Sequence, residues 1–231
     1  GLAPNEPMVI AGNITRGVGR VGRGVRLQEG TNSMRTLGAT PKLNFDTGPF
    51  SFGFWLQPGS ARSANAGSRT ILEKMTYTSP PNAVRPTQGY RLRLVNGRLE
   101  FALVSGGNLG LWTGNATLRA DQWVQVSVLV PRDAEPRIFI NGVAETLASA
   151  GIVPTGSLAT PNPLQIGVSA DSTLNPLDPI AFEFDELSFY NRVLTLAELQ
   201  AIAQGNAGQC FEGQVASVKP VFEVGTTPPN I

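Results

Sequence analysis

The chain has 231 residues, 41% hydrophobic and 15% charged, with 26 glycines and 18 prolines; it is too apolar for a disordered segment and reads as one large all-β domain of short elements joined by turns. A net charge of +1 supplies no global field for nucleic acid, and no run of 18 apolar residues is present to insert into a membrane. The sequence contains no histidine, which excludes the commonest general base, the usual zinc or copper ligand and every Ser-His or Cys-His nucleophile system.

Taken in chain order, the first strand signal is GVRLQEG at 24–30, preceded by Arg16, Arg20 and Arg23 and containing Arg26. Glycines between these arginines forbid a regular helix and no aromatic interleaves them, so they read as a solvated face. PFSFGFWLQ and RTILEKM follow as strands. In YRLRLVNGRLEFALV, Asn96-Gly97 is the dipeptide preferred by a two-residue type I′ hairpin, because both central residues need positive φ. Folding there sets Leu94 against Leu99, Leu92 against Phe101 and Tyr90 against Leu103 on a core face, with Arg93 against Glu100 on the other. QWVQVSVLVP is a further strand, and PRIFINGVAETL holds a second Asn-Gly hairpin that opposes Ile140 to Val143. PLQIGVS and FEFDELSFY complete the strands, which lack βα alternation and so predict a two-sheet antiparallel sandwich. One helix is expected, from about Leu196 to Gln204: Thr195 and Glu198 form a capping box, Leu194 closes on Leu199 and Gly205 stops the turn.

FEFDEL concentrates carboxylates, and strict alternation puts Glu183 and Asp185 on one face together with Leu187 and Phe189. Retaining glycoside hydrolysis needs two carboxyls about 5 Å apart, one of them protonated. The position for that acid holds Leu187, or Ser188 with a bulge, so no catalytic residue is assigned and the chain reads as a non-enzyme. Trp55 and Trp123 fall within strand patterns and read as core. Trp112 lies in the Gly- and Asn-rich surround SGGNLGLWTGN, where an indole either stands clear as a sugar-stacking face, with Tyr77, Asn108 and Asn115 as its candidate companions, or folds back as a lid on the core.

The order of these pieces resembles the laminin G-like jelly roll of the concanavalin A-like lectin/glucanase superfamily, in the version found in large bacterial extracellular proteins. VGRGVRLQEG, FSFGFWLQP, LEKM, ADQWVQVSV, RIFINGV, LQIGVS and FEFDELSFYNRVLTLAELQAI carry the likeness over about residues 10–205, with Gln125 replacing a usual aromatic or His and Glu29 a frequent Asp. The resemblance implies a two-sheet jelly roll that binds rather than cuts. Several members of the family bind one Ca²⁺, whose ligands here would be Asp185, Glu29 and the carbonyls of Gln28 or Gly30, oxygen donors of the kind a hard cation requires; the alternative is that Asp185 accepts backbone N–H bonds at the strand edge and Glu186 pairs with an arginine such as Arg192. The expected partners are a glycan or a cell-surface protein, with no nucleic acid and no membrane insertion.

Residues 1–208 are expected to form the jelly roll, and 209–231 a linker or extension toward another module that lies outside its core. Lone Cys210 is a free thiol, a partner for another chain or half of a bridge to further sequence. The start at Gly1 without Met or a signal-peptide apolar region fits a processed piece of something longer, and the composition fits a secreted or cell-surface location. The leading functional expectation is a non-catalytic extracellular binding or adhesion module. A structural assembly domain of a surface layer, filament or virion is the alternative, and a degenerate glycoside hydrolase the third.

Overall fold

A computed structural model describes residues 5–6, 8–12, 14–28, 33–36, 39–59, 68–78, 85–170, 181–205 and 213–218. Two sheets face each other. The nine-stranded sheet runs β1 (Asn5–Glu6), β17 (Gln214–Val218), β16 (Phe182–Tyr190), β6 (Phe50–Pro58), β11 (Val124–Val130), β12 (Arg137–Ile140) and β13 (Val143–Ala144). Beside β17, the first half of β16 also pairs with β4 (Arg23–Leu27), which carries β3 (Ile14–Val18). The eight-stranded sheet runs β14 (Leu147–Gly151), β10 (Asn108–Thr117), β9 (Arg98–Ser105), β8 (Arg85–Val95), β7 (Ser68–Thr78), β15 (Gln165–Ile166), β5 (Ser33–Thr36) and β2 (Met8–Ala11). Pairing is antiparallel except between β1 and β17.

Both hairpins form in the expected register. Tyr90 pairs with Leu103, Leu92 with Phe101, Leu94 with Leu99 and Arg93 with Glu100, while Ile140 pairs with Val143. Asn96 and Gly97 (φ 49° and 77°) and Asn141 and Gly142 (φ 52° and 76°) adopt the left-handed values that type I′ turns require. Between the sheets lies an aromatic core in which Phe45 stacks on Phe50 (4.3 Å), Phe54 on Phe184 (4.9 Å) and Phe52 meets Phe189 (5.5 Å). The helix α1 (Leu196–Ala203) lies on the outer side of the nine-stranded sheet, where Leu194 and Leu199 pack with Leu129, Phe139 and Tyr190. Its capping box is complete: Thr195 accepts from the Glu198 N–H, and Glu198 accepts from the Thr195 N–H at 2.8 Å.

Two expectations are corrected here. Within the segment expected to lie outside the core, the described residues 213–218 belong to the jelly roll: β17 pairs with Leu187–Tyr190, and Ala216 is fully buried in the core. The strand has an apolar side to bury, and β4 covers only the first half of β16, so β17 fills the remaining edge. Strict alternation also fails in β16. Asp185 pairs with Trp55 and Ser188 with Gly53, so three steps on β16 oppose two on β6, and Glu186 takes up the extra residue at φ 53°. Phe182 and Phe184 face inward before this bulge, Leu187 and Phe189 after it, and Asp185 is left on the outer face rather than beside Phe189.

There the turn between β3 and β4 closes over it. The Val21 N–H donates to Asp185 Oδ2 at 2.9 Å, and the Arg20 guanidinium lies 4.9 Å from the centre of the Trp55 ring. Gly19 permits this approach, since a Cβ at that position would stand 2.4 Å from Asp185 Oδ2 and 2.5 Å from the Gly24 nitrogen. Trp55 is therefore buried as expected, but beneath Arg20 on the outer face and apart from the main core; Trp123 is half-buried.

Asp185→Ala leaves the Val21 N–H without this acceptor, and the expected cost is about 1–3 kcal/mol in urea unfolding; an unchanged midpoint would show that the turn holds without the carboxylate. Glu198 gives a pH-dependent counterpart. Its hydrogen bond from Arg192 (2.9 Å), with those from Thr195, holds its carboxyl at about 2 against an ordinary 4.5. Because the folded value is the lower one, the stabilisation is present above pH 4.5 and fades as pH falls toward 2. Glu198→Gln should thus flatten the acid limb of the melting temperature between those values; a limb as steep as that of the parent chain would refute the assignment.

Candidate functional site

Where β4, β16 and β6 run side by side on the outer face, register sets Arg26, Glu183 and Gln57 abreast. Arg26 Nε donates to Glu183 Oε1 at 2.9 Å, with the arginine side chain 58% exposed and the glutamate 15%. Asp121 enters from the turn before β11 in a left-handed conformation (φ 58°). Its N–H donates to the Pro58 carbonyl (2.8 Å) and its carbonyl accepts from Gln57 Nε2 (2.9 Å), which anchors the turn to the end of β6. Gly59 lets β6 close on β16: its N–H donates to the Ala181 carbonyl at 2.7 Å, and a Cβ would stand the same distance from that oxygen. Between these elements opens a cleft of about 540 Å³ lined by Arg26, Gln28, Gln57, Asp121, Ala181 and Glu183, a volume in the range of small-ligand sites.

Chemically the cleft offers two carboxylates, two amides and a guanidinium. Of the FEFDEL carboxylates, Glu183 is ion-paired with Arg26, and Asp185 accepts from the Val21 N–H beneath the β3–β4 turn. Two of the four residues expected to hold calcium are described, and they do not converge. Continuing the β4–β16 register sets Asp185 level with Gly24, four residues or roughly 13 Å from Gln28. The Gln28 carbonyl accepts from Arg69 Nη1 at 3.3 Å. Glu29 and Gly30 lie outside the described residues, among which no group of three or more Asp, Glu, Cys or His gathers.

The expected sugar platform is also dispersed. Trp112 is 1% exposed and belongs to the core, its ring 6.4 Å from that of Phe101. The glycines around it make room for the indole to turn inward: a Cβ at Gly110 would stand 2.3 Å from the Trp112 ring. No face of it remains for a ligand. Tyr77 belongs to a network outside the core, with Met75, Ala102 and Val104 beside it. Its hydroxyl donates to Glu73 (2.7 Å) and accepts from Arg91 Nη1 (3.2 Å), while Ser169 and the Ala170 N–H also donate to Glu73 (2.6 and 2.8 Å). Burial pushes both titrations up, that of the Glu73 carboxyl and that of the Tyr77 hydroxyl, the latter further raised by the Glu73 charge. Asn108 and Asn115 are exposed but stand seven residues, about 24 Å, apart along β10.

Of the cleft residues, Gln28 and Glu183 were legible as polar strand positions and Arg26 as one of a basic group; Asp121 and Gln57 were not. The only trace of Asp121 is an Asp-Gln pair before Trp123 where a turn is needed.

The laminin G type 3 family profile, described as concanavalin A-like lectin/glucanases superfamily, matches residues 30–200. Among curated proteins none matches the chain in sequence. Among solved structures, the binding domain of Paraclostridial Mosquitocidal Protein 1 superposes with a TM-score of 0.68 at 16% identity, over 87% of this chain and 48% of its own. The receptor binding domain of botulinum neurotoxin C/D mosaic serotype gives 0.65 at 14% (87% and 46%), and the botulinum neurotoxin serotype G binding domain 0.63 at 12% (87% and 46%). This chain thus spans about half the length of those structures, and at such identities the shared property is the fold. With the profile spanning most of the sandwich and the two-sheet topology matching, the chain belongs to the laminin G type 3 family of the concanavalin A-like lectin/glucanase superfamily.

Proposed function

We propose that this domain is a non-catalytic binding module that acts outside the cell and recognises a glycan in the cleft beside Glu183. The observation that carries the reading is the cleft itself, in which carboxylate, amide and guanidinium groups are held by neighbouring strands and a pinned turn. Sugar hydroxyls both donate and accept, so a wall that mixes acceptors (Glu183, Asp121) with a donor (Arg26) and a group that is both (Gln57) matches them. Several solved structures of the same fold are described as binding or receptor binding domains, which supports a binding role over a catalytic one.

A glycan array on the 231-residue chain tests the proposal, with Glu183→Gln and Gln57→Ala as variants. The expected result is a restricted set of bound glycans, each weakened about tenfold or more by either substitution, as loss of a charge-assisted or amide hydrogen bond predicts. Because Asp185 and Gln28 do not converge, the signals should be equal in calcium and in EDTA. No bound glycan, or binding indifferent to both substitutions, would sink the reading. Release of reducing sugar from any bound glycan would sink its non-catalytic part.

A further inference from the structure

Resting on the glycan reading of the same cleft, we infer that its ligand class is a glycan bearing free, non-acetylated primary amines. The residues that line the cleft carry three acceptors engaged by none of the described hydrogen bonds: Glu183 Oε2, the Asp121 carboxylate and Gln57 Oε1, whose partner Nε2 is held by the Asp121 carbonyl. Among the described residues that line the cleft there are two carboxylates and one cation, Arg26; Arg26 Nε is already paired with Glu183, and no described cation is paired with Asp121. A primary ammonium has three N–H donors and no acceptor, which is the complement of this set. The Nη groups of Arg26 then serve the hydroxyl oxygens of the ring, donors that a simple alkylamine would leave unused. N-acetylation removes the positive charge and two N–H donors and adds a carbonyl, so an acetylated sugar covers Asp121 without giving it a charged partner. A uronic or sulfated sugar brings like charge against Asp121.

Titration calorimetry on the full chain decides the matter, using the β-1,4-linked glucosamine tetramer, its fully N-acetylated counterpart, cellotetraose and Nα-acetyl-lysine amide. The glucosamine tetramer is expected to bind about tenfold or more tightly than either neutral tetramer, a preference worth one charge-assisted hydrogen bond. Asp121→Asn should reduce the preference to within about threefold while leaving the melting temperature unchanged, because Asn tolerates the left-handed backbone at φ 58° as Asp does. Equal or tighter binding of the acetylated tetramer or cellotetraose would overturn the amine and leave the glycan reading standing. If the lysine amide matches the glucosamine tetramer, the ligand is an amine but not a glycan, and the inference falls. Absence of binding by every sugar would overturn both.

Discussion

The pairing of β16 with its neighbours is the constraint on which the rest of this molecule depends. One strand must place aromatic side chains in the core along its whole length, yet carry a carboxylate that no apolar interior tolerates unpartnered. The bulge at Glu186 reconciles the two demands by shifting the alternation by one residue, so that Phe182 and Phe184 enter the core ahead of it and Leu187 and Phe189 behind it. Asp185, left on the outside at the point of the shift, becomes the anchor for the turn between β3 and β4. The same shift divides the far edge of β16 between two strands: β4 covers Phe182–Phe184 and β17 covers Leu187–Tyr190. On the β4 side, Arg26 and Glu183 are brought abreast, and the cleft exists because of that division.

Much of the architecture could be read from the residues because it rests on local rules. Asn-Gly fixes a turn whatever surrounds it, so the registers of the Tyr90–Val104 and Arg137–Val143 hairpins followed directly, as did α1 from Thr195, Glu198 and Gly205. The bulge was out of reach. Glu186 is not a glycine and has no sequence mark of positive φ; what places it there is the match of β16 to Gly53 and Trp55 on a strand more than a hundred residues away. Trp112 stayed open between two readings for a related reason: glycines near an indole can expose it or can let it fold flat against the backbone, and only the packing of Phe101 and Gly110 decides between them. The cleft was least legible of all, since Gln57 and Asp121 have ordinary polar contexts and meet only through the Pro58 and Asp121 backbone.

The polar groups of the cleft and those around Glu73 are handled differently. On the nine-stranded sheet the outer polar groups face a cleft and a short turn, and Arg26 remains largely exposed. On the eight-stranded sheet Glu73 is fully buried, and its Tyr77, Ser169 and Ala170 donors form a closed set around it. Such a set satisfies the protein and leaves little for a ligand, whereas open valences at Asp121 and Glu183 are what recognition requires.

The division of β16 also orders events in time. Hairpins of the eight-stranded sheet, β8 with β9 and β9 with β10, join residues close in sequence and need little loop closure. β4 and β6, in contrast, must wait for β16, which lies more than 120 residues downstream of β6, before their shared edges are paired. During vectorial synthesis the arginine-bearing β3–β4 hairpin and the apolar FSFGFWLQ strand therefore leave the ribosome long before their partner. The edge on which the cleft is built is completed late, and these early strands are exposed to misassociation until β16 has been made.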